Sequence, residues 1–233
     1  MARAAGLEPD EWQTRFLRST GSRVLLNCSR QAGKSTMAAT QAVHTAIYEP
    51  GSLVLLLSPS LRQSQELFKK AISCYHAAGN SVPTTTESAL RLELENGSRI
   101  VSLPGKEETV RGFSGVKLLV VDEAARVAAD LYFAVRPMLA VSRGRLLALS
   151  TPFGTRGWWF DAWRSEETWE RYEVPATDCP RIKREFLEEE RRTLGEWWFA
   201  QEYECKFLDA ETQPFGREDV EGAFEEAVEA WAL

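Results

Sequence analysis

The sequence predicts an α/β fold with a mostly parallel central sheet flanked by helices. Four short apolar runs, at residues 23–28, 53–58, 116–121 and 145–152, have the length of buried strands. They show little alternation between apolar and polar side chains, which is typical of strands covered on both faces. Helical patterns separate these runs, and that order of elements favours a parallel sheet.

Two long helices are predicted in the first third of the chain. Residues 34–48 carry small and apolar side chains at helical spacing, and a proline–glycine pair at 50–51 ends the pattern. A second helix begins after Ser60 and continues to about residue 78, where a glycine and an asparagine end it. Each helix therefore follows one of the predicted strands.

A β-hairpin is predicted between the second and third buried strands. Residues 90–95 alternate leucine with charged side chains, and Asn96-Gly97 is a strong two-residue turn before a strand around residue 100. A polar loop at 105–115 follows, and a helix is predicted at 126–139. Beyond about residue 155 tryptophans concentrate, and the pattern predicts a further strand at 169–175 and charged helices at 183–203.

Composition and charge exclude several classes of protein. The 233 residues carry a net charge of −6, which argues against a protein that coats nucleic acid through bulk charge, although local contacts with DNA remain open. No apolar run approaches the roughly 20 residues needed to span a bilayer. The N-terminus lacks the apolar core of a signal peptide. We therefore expect a soluble cytoplasmic protein.

The cysteines and histidines do not form a metal-binding pattern. No pair has the Cys-x-x-Cys spacing of a zinc site, so reduced, buried thiols are expected. The two histidines, His44 and His76, fall in the predicted helices and are interpreted as packing or surface residues. The cysteines are Cys28, Cys74, Cys179 and Cys205.

The segment NCSRQAGKST, residues 27–36, ends like a phosphate-binding loop and lies between a predicted strand and a predicted helix. Such a loop needs inward-pointing backbone N–H groups, a helix N-terminus and a cation. Gly33 permits the close turn, Lys34 is placed to reach the β- and γ-phosphates, and Ser35 offers a hydroxyl to Mg²⁺. Arg30 adds a second cation that could contact the γ-phosphate. The usual first glycine of the motif is replaced by a cysteine.

Two adjacent carboxylates end the third buried strand, in the sequence LLVVDEA. Asp122 is placed to hold Mg²⁺, and Glu123 to orient and deprotonate an attacking water. Adjacent acids at a buried strand tip repel each other unless a metal is bound, so a purely structural role is disfavoured. With the phosphate-binding loop, this pair predicts an ATPase of the additional-strand catalytic-glutamate (RecA-like) class of P-loop NTPases, with ATP and Mg²⁺ as its ligands.

The pair Ser150-Thr151 follows the fourth buried strand, ahead of Pro152. A polar residue at that position can sense the γ-phosphate and pass the signal on. A side chain that caps the turn before the proline accounts for the pair equally well.

Over essentially its whole length the chain resembles the ATPase domain of phage terminase large subunits, the motors that package DNA into procapsids. The matching segments are EWQTRFL, CSRQAGKST, SPSLRQSQELFKK, VRGFSGVKLLVVDEAA and ALSTPFGTRGWWF. The family's phosphate-binding loop often lacks the first glycine and carries an arginine, which accounts for the departure noted above. The resemblance implies ATP hydrolysis that powers translocation of double-stranded viral DNA.

The resemblance also implies which residues bind the nucleotide and couple its hydrolysis to movement. Gln13 stands where the family has a glutamine in its adenine-contacting segment. Ser150 and Thr151 match the family's coupling motif. The loop and the start of its helix supply the remaining nucleotide-binding positions, which are Arg30, Gln31, Ala32, Gly33, Lys34, Ser35 and Thr36.

Arg111 lies in the polar loop before the catalytic strand. In terminases an arginine near this position is proposed to act in trans on the nucleotide of the neighbouring subunit, as an arginine finger does. A surface arginine without such a role is the competing interpretation. Arg126 and Arg143 are weaker candidates for the finger.

By the same resemblance, residues 1–170 are the ATPase core, 171–210 a lid subdomain and 211–233 a linker towards a nuclease domain. The chain stops at Leu233, so no DNA cleavage is expected, and Asp209 and Asp219 are not interpreted as nuclease ligands.

The implied partners are double-stranded DNA, the portal protein, the terminase small subunit and further copies of the chain in a ring of five. The isolated domain is expected to be a weak ATPase and can be monomeric. The resemblance implies a location in the host cytoplasm, at the procapsid portal, and no association with a membrane.

Two other functions remain open at this stage. A helicase-like DNA-dependent ATPase shares the Asp-Glu and Ser-Thr motifs, but it would need a second sheet domain. A docking module that binds nucleotide without hydrolysing it, attached to a portal ring, would not need the intact Lys34 and Glu123.

Overall fold

The structure is a computed structural model that describes residues 2–4, 6–104, 110 and 112–209. Eight strands in this part of the chain form one sheet. They are β1 (Arg23–Cys28), β2 (Leu53–Ser58), β3 (Thr84–Glu87), β4 (Arg91–Leu94), β5 (Arg99–Pro104), β6 (Val116–Asp122), β7 (Arg145–Ser150) and β8 (Glu170–Val174). The helices are α1 (Glu11–Arg18), α2 (Lys34–Tyr48), α3 (Leu61–Ala77), α4 (Ala129–Val135), α5 (Trp158–Arg164) and α6 (Arg184–Tyr203).

The strand order in the sheet is β3-β4-β5-β2-β6-β7-β1-β8. All neighbours from β5 to β8 pair in parallel, and only the β3–β4 and β4–β5 pairs are antiparallel. Strand β7 lies between β1 and β6. The carboxyl ends of these three strands therefore meet at one edge, where an open α/β sheet binds its ligands.

Two apolar layers cover the central strands. In β1 the side chains of Val24 and Leu26 face the layer that contains α2 and α3, whereas Leu25 faces the layer that contains α4 and α5. All three side chains are fully buried. Successive side chains of a strand point to opposite faces of the sheet, so every position can be apolar only when both faces are covered. The unbroken apolar runs of the sequence follow from this arrangement.

The predicted α/β class is confirmed, and the four predicted buried strands correspond to β1, β2, β6 and β7. The hairpin around Asn96-Gly97 is also present as β4 and β5, and β5 additionally pairs in parallel with β2. Strand β3 and helix α1 were not predicted. Every residue of β3 is exposed, so its sequence carries no apolar alternation from which a strand is recognised.

The helix predicted at 126–139 is shorter than expected. Helix α4 is flanked by two 3₁₀ segments, Ala124–Arg126 and Arg136–Leu139. Pro137 lies in the second segment, and a proline cannot donate the backbone hydrogen bond that an α-helix would require there. The regular α-helix therefore ends before it.

The predicted boundary between core and lid, at residues 170 and 171, falls at the start of strand β8. Strand β8 pairs along its whole length with β1, so residues 170–174 belong to the central sheet. A lid would therefore begin after Val174 and contain α6, whose backbone breaks at Gly195 with φ 77° and ψ 165°. The predicted linker at 211–233 lies outside the described residues.

All four cysteines are free and buried, as expected. Both histidines lie in helices, His44 in α2 and His76 in α3. In the described part of the chain, no helix has both the length and the apolar character that crossing a membrane would require.

Candidate active site

A cavity of about 400 Å³ opens at the edge where β1, β6 and β7 end. The phosphate-binding loop and the start of α2 form one wall, between Arg30 and Thr36. Glu123 and Arg126 after β6, and Thr151 after β7, form a second wall. Helix α3 contributes Gln63 and Lys70. The structure thus brings together side chains that three strand ends and one helix supply.

The phosphate-binding loop turns sharply at Gly33, which has φ 91° and ψ 14° just before α2 begins. Residues other than glycine rarely adopt that left-handed conformation. A Cβ atom at this position would also lie 2.9 Å from Nε2 of Gln13. Both constraints explain why glycine stands here, at the N-terminus of a helix that can receive an anion.

Gln13 supports this loop from behind. Its Nε2 donates to the carbonyl oxygen of Ala32 at 3.1 Å, and its Oε1 accepts from the backbone N–H of Asp10 at 3.1 Å. Its side chain is buried and does not line the cavity. Both of its polar atoms are thus used within the chain, and a role in adenine binding remains a prediction.

The catalytic candidates of the two motifs lie side by side. Nζ of Lys34 lies 3.8 Å from Oε1 of Glu123, and Oγ of Ser35 lies 3.4 Å and 3.3 Å from the two carboxylate oxygens of Asp122. Lys34 and Asp122 are both buried, at 8% and 6% exposure. The loop lysine and the acidic strand end therefore converge on one point.

Glu123 occupies an unusual backbone conformation. Its φ of 50° and ψ of 44° are left-handed, which is uncommon for a residue other than glycine and concentrates at functional sites. The turn is held by Ala125, whose backbone N–H donates to Oγ of Ser150 at 3.2 Å. Ser150 is fully buried and contacts this turn, whereas Thr151 lines the cavity.

Asp122 has a raised pKa of about 6, against an ordinary value of 3.8. Burial is the largest cause, and the negative charge of Glu123 adds to it. Lys34 lowers this pKa, as do the N–H of Glu123 and, more weakly, Lys70. A cation bound close to Asp122 would stabilise its ionised carboxylate.

The residues present fit a magnesium ion that is shared with a phosphate group. Mg²⁺ prefers oxygen ligands and usually takes one or two from the protein, with water and phosphate oxygens completing its shell. Ser35 and Asp122 provide such a pair, a hydroxyl beside a carboxylate whose charge is poorly compensated. In the described part of the chain, no group of three or more histidine, cysteine or carboxylate side chains forms a metal site.

Arg30 is engaged by a residue that the sequence did not single out. Its Nε lies 2.6 Å from Oε2 of Glu202 in α6, and Arg126 approaches the other oxygen of that carboxylate at 3.9 Å. Arg126 also contacts Oε2 of Glu123 at 3.2 Å. The helix in the predicted lid is thus connected through ion pairs to both catalytic motifs.

The structure separates the remaining arginine candidates. Arg126 lines the cavity, whereas Arg143 lies in the turn before β7, at the opposite edge of the sheet. Arg111 lies outside the described residues. Gln63 and Lys70 were not predicted as site residues. They lie in the segment SPSLRQSQELFKK, which resembles the family, but no local motif indicates that either residue contacts a phosphate.

The sequence matches the family model described as "Terminase large subunit, T4likevirus-type, N-terminal" over residues 25–221. It is 25% identical to the terminase large subunit of Thermus phage G20c, over 92% of this chain and 52% of that protein. It is 28% identical to the terminase large subunit of Escherichia phage T5, over 80% of this chain and 44% of that protein. The chain thus spans about half the length of these curated relatives.

Solved structures share the fold. The large terminase ATPase domain of Thermus phage P74-26 superposes with a TM-score of 0.78, at 23% identity, over 89% of this chain and 97% of that one. The large terminase of a thermophilic bacteriophage, solved in complex with ATP-gamma-S, gives a TM-score of 0.70 at 12% identity, over 85% of this chain and 53% of that one.

Proposed function

Because the chain belongs to the family of T4likevirus-type terminase large subunits and matches their N-terminal part, we propose that it hydrolyses ATP to drive double-stranded DNA into a viral procapsid. One observation supports this function above others: Lys34, Ser35 and Glu123 line a single cavity, and the Asp122 carboxylate lies within 3.4 Å of the Ser35 hydroxyl. That combination of a cation, a hydroxyl, a buried acid and a second carboxylate is what phosphoryl transfer to water requires.

Nucleotide binding begins at the phosphate-binding loop in this proposal. Backbone N–H groups between Gln31 and Ser35 receive the phosphates at the N-terminus of α2. Lys34 contacts the β- and γ-phosphates. Ser35 and Asp122 would hold Mg²⁺, which when bound neutralises charge on the phosphate oxygens.

Glu123 is the general base of the proposed reaction. Its carboxylate is paired with Lys34 at 3.8 Å and with Arg126 at 3.2 Å. A γ-phosphate that takes over Lys34 as its partner removes one of these contacts. The freed carboxylate oxygen then accepts a proton from a water placed in line with the terminal phosphate.

Coupling of hydrolysis to movement is proposed to run along two routes. Ser150 and Thr151 join the catalytic turn to β7, because Ser150 accepts from the N–H of Ala125. Arg30 joins the phosphate-binding loop to α6 through Glu202. Loss of the γ-phosphate changes the partners available to both groups. The region after Val174 is proposed to move as a lid in response.

We propose that the working form is a ring, with the portal protein, the terminase small subunit and double-stranded DNA as partners, in the host cytoplasm at the procapsid. Arg111 is proposed to complete the site of the neighbouring copy. Mixing Arg111→Ala with a Lys34→Ala partner tests this arrangement, because each variant lacks what the other keeps. Recovered turnover supports the trans role, and no recovery at high protein concentration counts against it.

The direct test of the ATPase proposal is steady-state release of phosphate from ATP. We expect turnover that requires Mg²⁺ and is lost in Lys34→Ala. Lys69→Ala is the matched control, because Lys69 is exposed and contacts only Glu66 on the surface of α3 among the described residues. Nucleotide binding without any Mg²⁺-dependent release would favour the docking module instead. Strand separation in place of duplex translocation would favour the helicase-like alternative.

A further inference from the structure

Helix α3 builds part of the cavity wall that the two catalytic motifs do not reach. Gln63 in its first turn and Lys70 two turns later lie on one face of the helix and line the cavity. The start of the helix is fixed in place. Oγ of Ser60 accepts from the N–H of Gln63 at 3.3 Å, and Oγ of Ser64 donates to the carbonyl oxygen of Leu103 in β5 at 2.9 Å.

Lys70 differs from the other cations that line this cavity. Arg30 is paired with Glu202, and Lys34 and Arg126 are both paired with Glu123. Within the described residues, Lys70 contacts no carboxylate. Its neighbour Lys69 contacts Glu66 on the solvent side of α3, at 2.9 Å. Lys70 therefore presents to the cavity a positive charge that forms no ion pair with an acid in the described chain, although it acts at longer range on Asp122.

The cations of the cavity differ in the partner that each must give up to bind a triphosphate. To bind a phosphate, Arg30, Lys34 and Arg126 each have to exchange an existing carboxylate partner, which offsets part of the gain. Lys70 exchanges only water. A phosphate oxygen close to an ammonium group forms a charge-assisted hydrogen bond, which is about twice as strong as a neutral one.

We propose that Lys70, together with Gln63, binds the terminal phosphate of the nucleotide and makes this site prefer the triphosphate over the diphosphate. The inference rests on the proposed ATPase function and assigns a new contact within it. The phosphate-binding loop holds the phosphates nearer the nucleoside through its backbone N–H groups. The cavity wall formed by α3 is therefore placed to contact the terminal phosphate, and ADP lacks this phosphate.

Equilibrium binding of ATPγS and ADP, each with Mg²⁺, tests the proposal on the intact chain. We expect Lys70→Met to weaken ATPγS binding about tenfold and to leave ADP binding within about twofold of the parent. Lys70→Arg should retain most of the preference, because it keeps the charge. Lys69→Met, the adjacent and already paired lysine, should change neither constant. Thermal unfolding of each variant checks that the exposed substitution leaves the fold intact.

Three results would overturn the inference. Unchanged dissociation constants for both nucleotides in Lys70→Met mean that Lys70 does not touch the terminal phosphate. An equal loss of ATPγS and ADP binding means that it acts through general charge, as does an equal effect of Lys69→Met. If the parent chain binds neither nucleotide, the proposed function itself fails, and this outcome is distinct from the first two because the parent alone reveals it.

Discussion

Arg30 and Glu202 form an ion pair, with Nε of the arginine 2.6 Å from Oε2 of the glutamate, between the phosphate-binding loop and helix α6. The glutamate is 7% exposed, whereas the arginine side chain is largely open to solvent. The hydrogen bond and charge of Glu202 raise the pKa of Arg30. We therefore expect a nucleotide that attracts Arg30 to compete with this carboxylate, and the position of α6 to depend on the occupancy of the loop.

Replacing Glu202 with glutamine should tighten triphosphate binding. The amide keeps the shape of the side chain but removes the charge that holds Arg30, so the guanidinium becomes available to a phosphate. We expect the dissociation constant of ATPγS with Mg²⁺ to fall about three- to tenfold. Glu196→Gln is the control, because that exposed carboxylate on the same helix contacts only Arg191 among the described residues. Unchanged or weaker binding in Glu202→Gln would show that the pair does not compete with nucleotide.

Replacing Glu123 with glutamine should separate binding from hydrolysis. The amide can still occupy the turn after β6, but it cannot accept a proton from water. We expect turnover to fall about 100- to 10,000-fold while ATPγS still binds. Glu167→Gln, an exposed carboxylate before β8 that contacts Arg23, should keep the parent rate. A Glu123→Gln variant with the turnover of the parent would remove Glu123 from the role of base.

The parts of the fold that the sequence predicts are those decided by local patterns. The apolar runs of β1, β2, β6 and β7 are buried on both faces, so they stand out without any knowledge of their neighbours. The loop at Gly33 and the acids after β6 are recognisable because their chemistry depends on spacing along the chain. Helix α4 ends earlier than predicted because Pro137 interrupts the helical pattern.

The parts of the site that the sequence does not predict depend on distant contacts. Arg30 and Glu202 are 172 positions apart, and nothing near Glu202 distinguishes it from the other acids of α6. Lys70 looks like its neighbour Lys69, and only the packing of α3 beside α2 turns one towards the cavity and the other towards Glu66. Such pairings are set by the assembled fold and leave no motif.

Replacing Ser150 with alanine should weaken both stability and catalysis. Oγ of the fully buried Ser150 accepts from the N–H of Ala125, so the substitution leaves that N–H without its partner. We expect the free energy of unfolding to fall by about 1–3 kcal/mol. Turnover should fall as well, because the same N–H holds the turn that contains Glu123. Denaturant unfolding and phosphate release measure the two effects.

Ser58 provides the matched control for this substitution. It stands at the end of β2, is equally buried, and its hydroxyl has no hydrogen-bond partner among the described residues. Removing that hydroxyl leaves no backbone group unpaired. The free energy of unfolding of Ser58→Ala should therefore lie within about 0.5 kcal/mol of that of the parent. Equal destabilisation of the two variants would mean that the contact with Ala125 contributes nothing particular.

The raised pKa of Asp122 predicts how stability changes with pH in the absence of nucleotide and Mg²⁺. The folded protein binds the Asp122 proton more tightly than the unfolded chain does, since the pKa is about 6 when folded and near 3.8 when unfolded. The contribution of Asp122 to stability should therefore fall as pH rises from about 4 to about 6 and change little above that. A shift of this size corresponds to about 3 kcal/mol.

Asp122→Asn removes this penalty, because the amide never ionises. The melting temperature of the variant should exceed that of the parent at pH 8, and the difference should shrink as the pH falls towards 4. Glu95→Gln, an exposed acid in the β-hairpin, should show no such trend. With Mg²⁺ and ATPγS present the order should reverse, because only the carboxylate can hold the metal with Ser35. A parent that is the more stable at pH 8 without ligand would mean that the Asp122 carboxylate is already compensated by Lys34 and its hydrogen bonds.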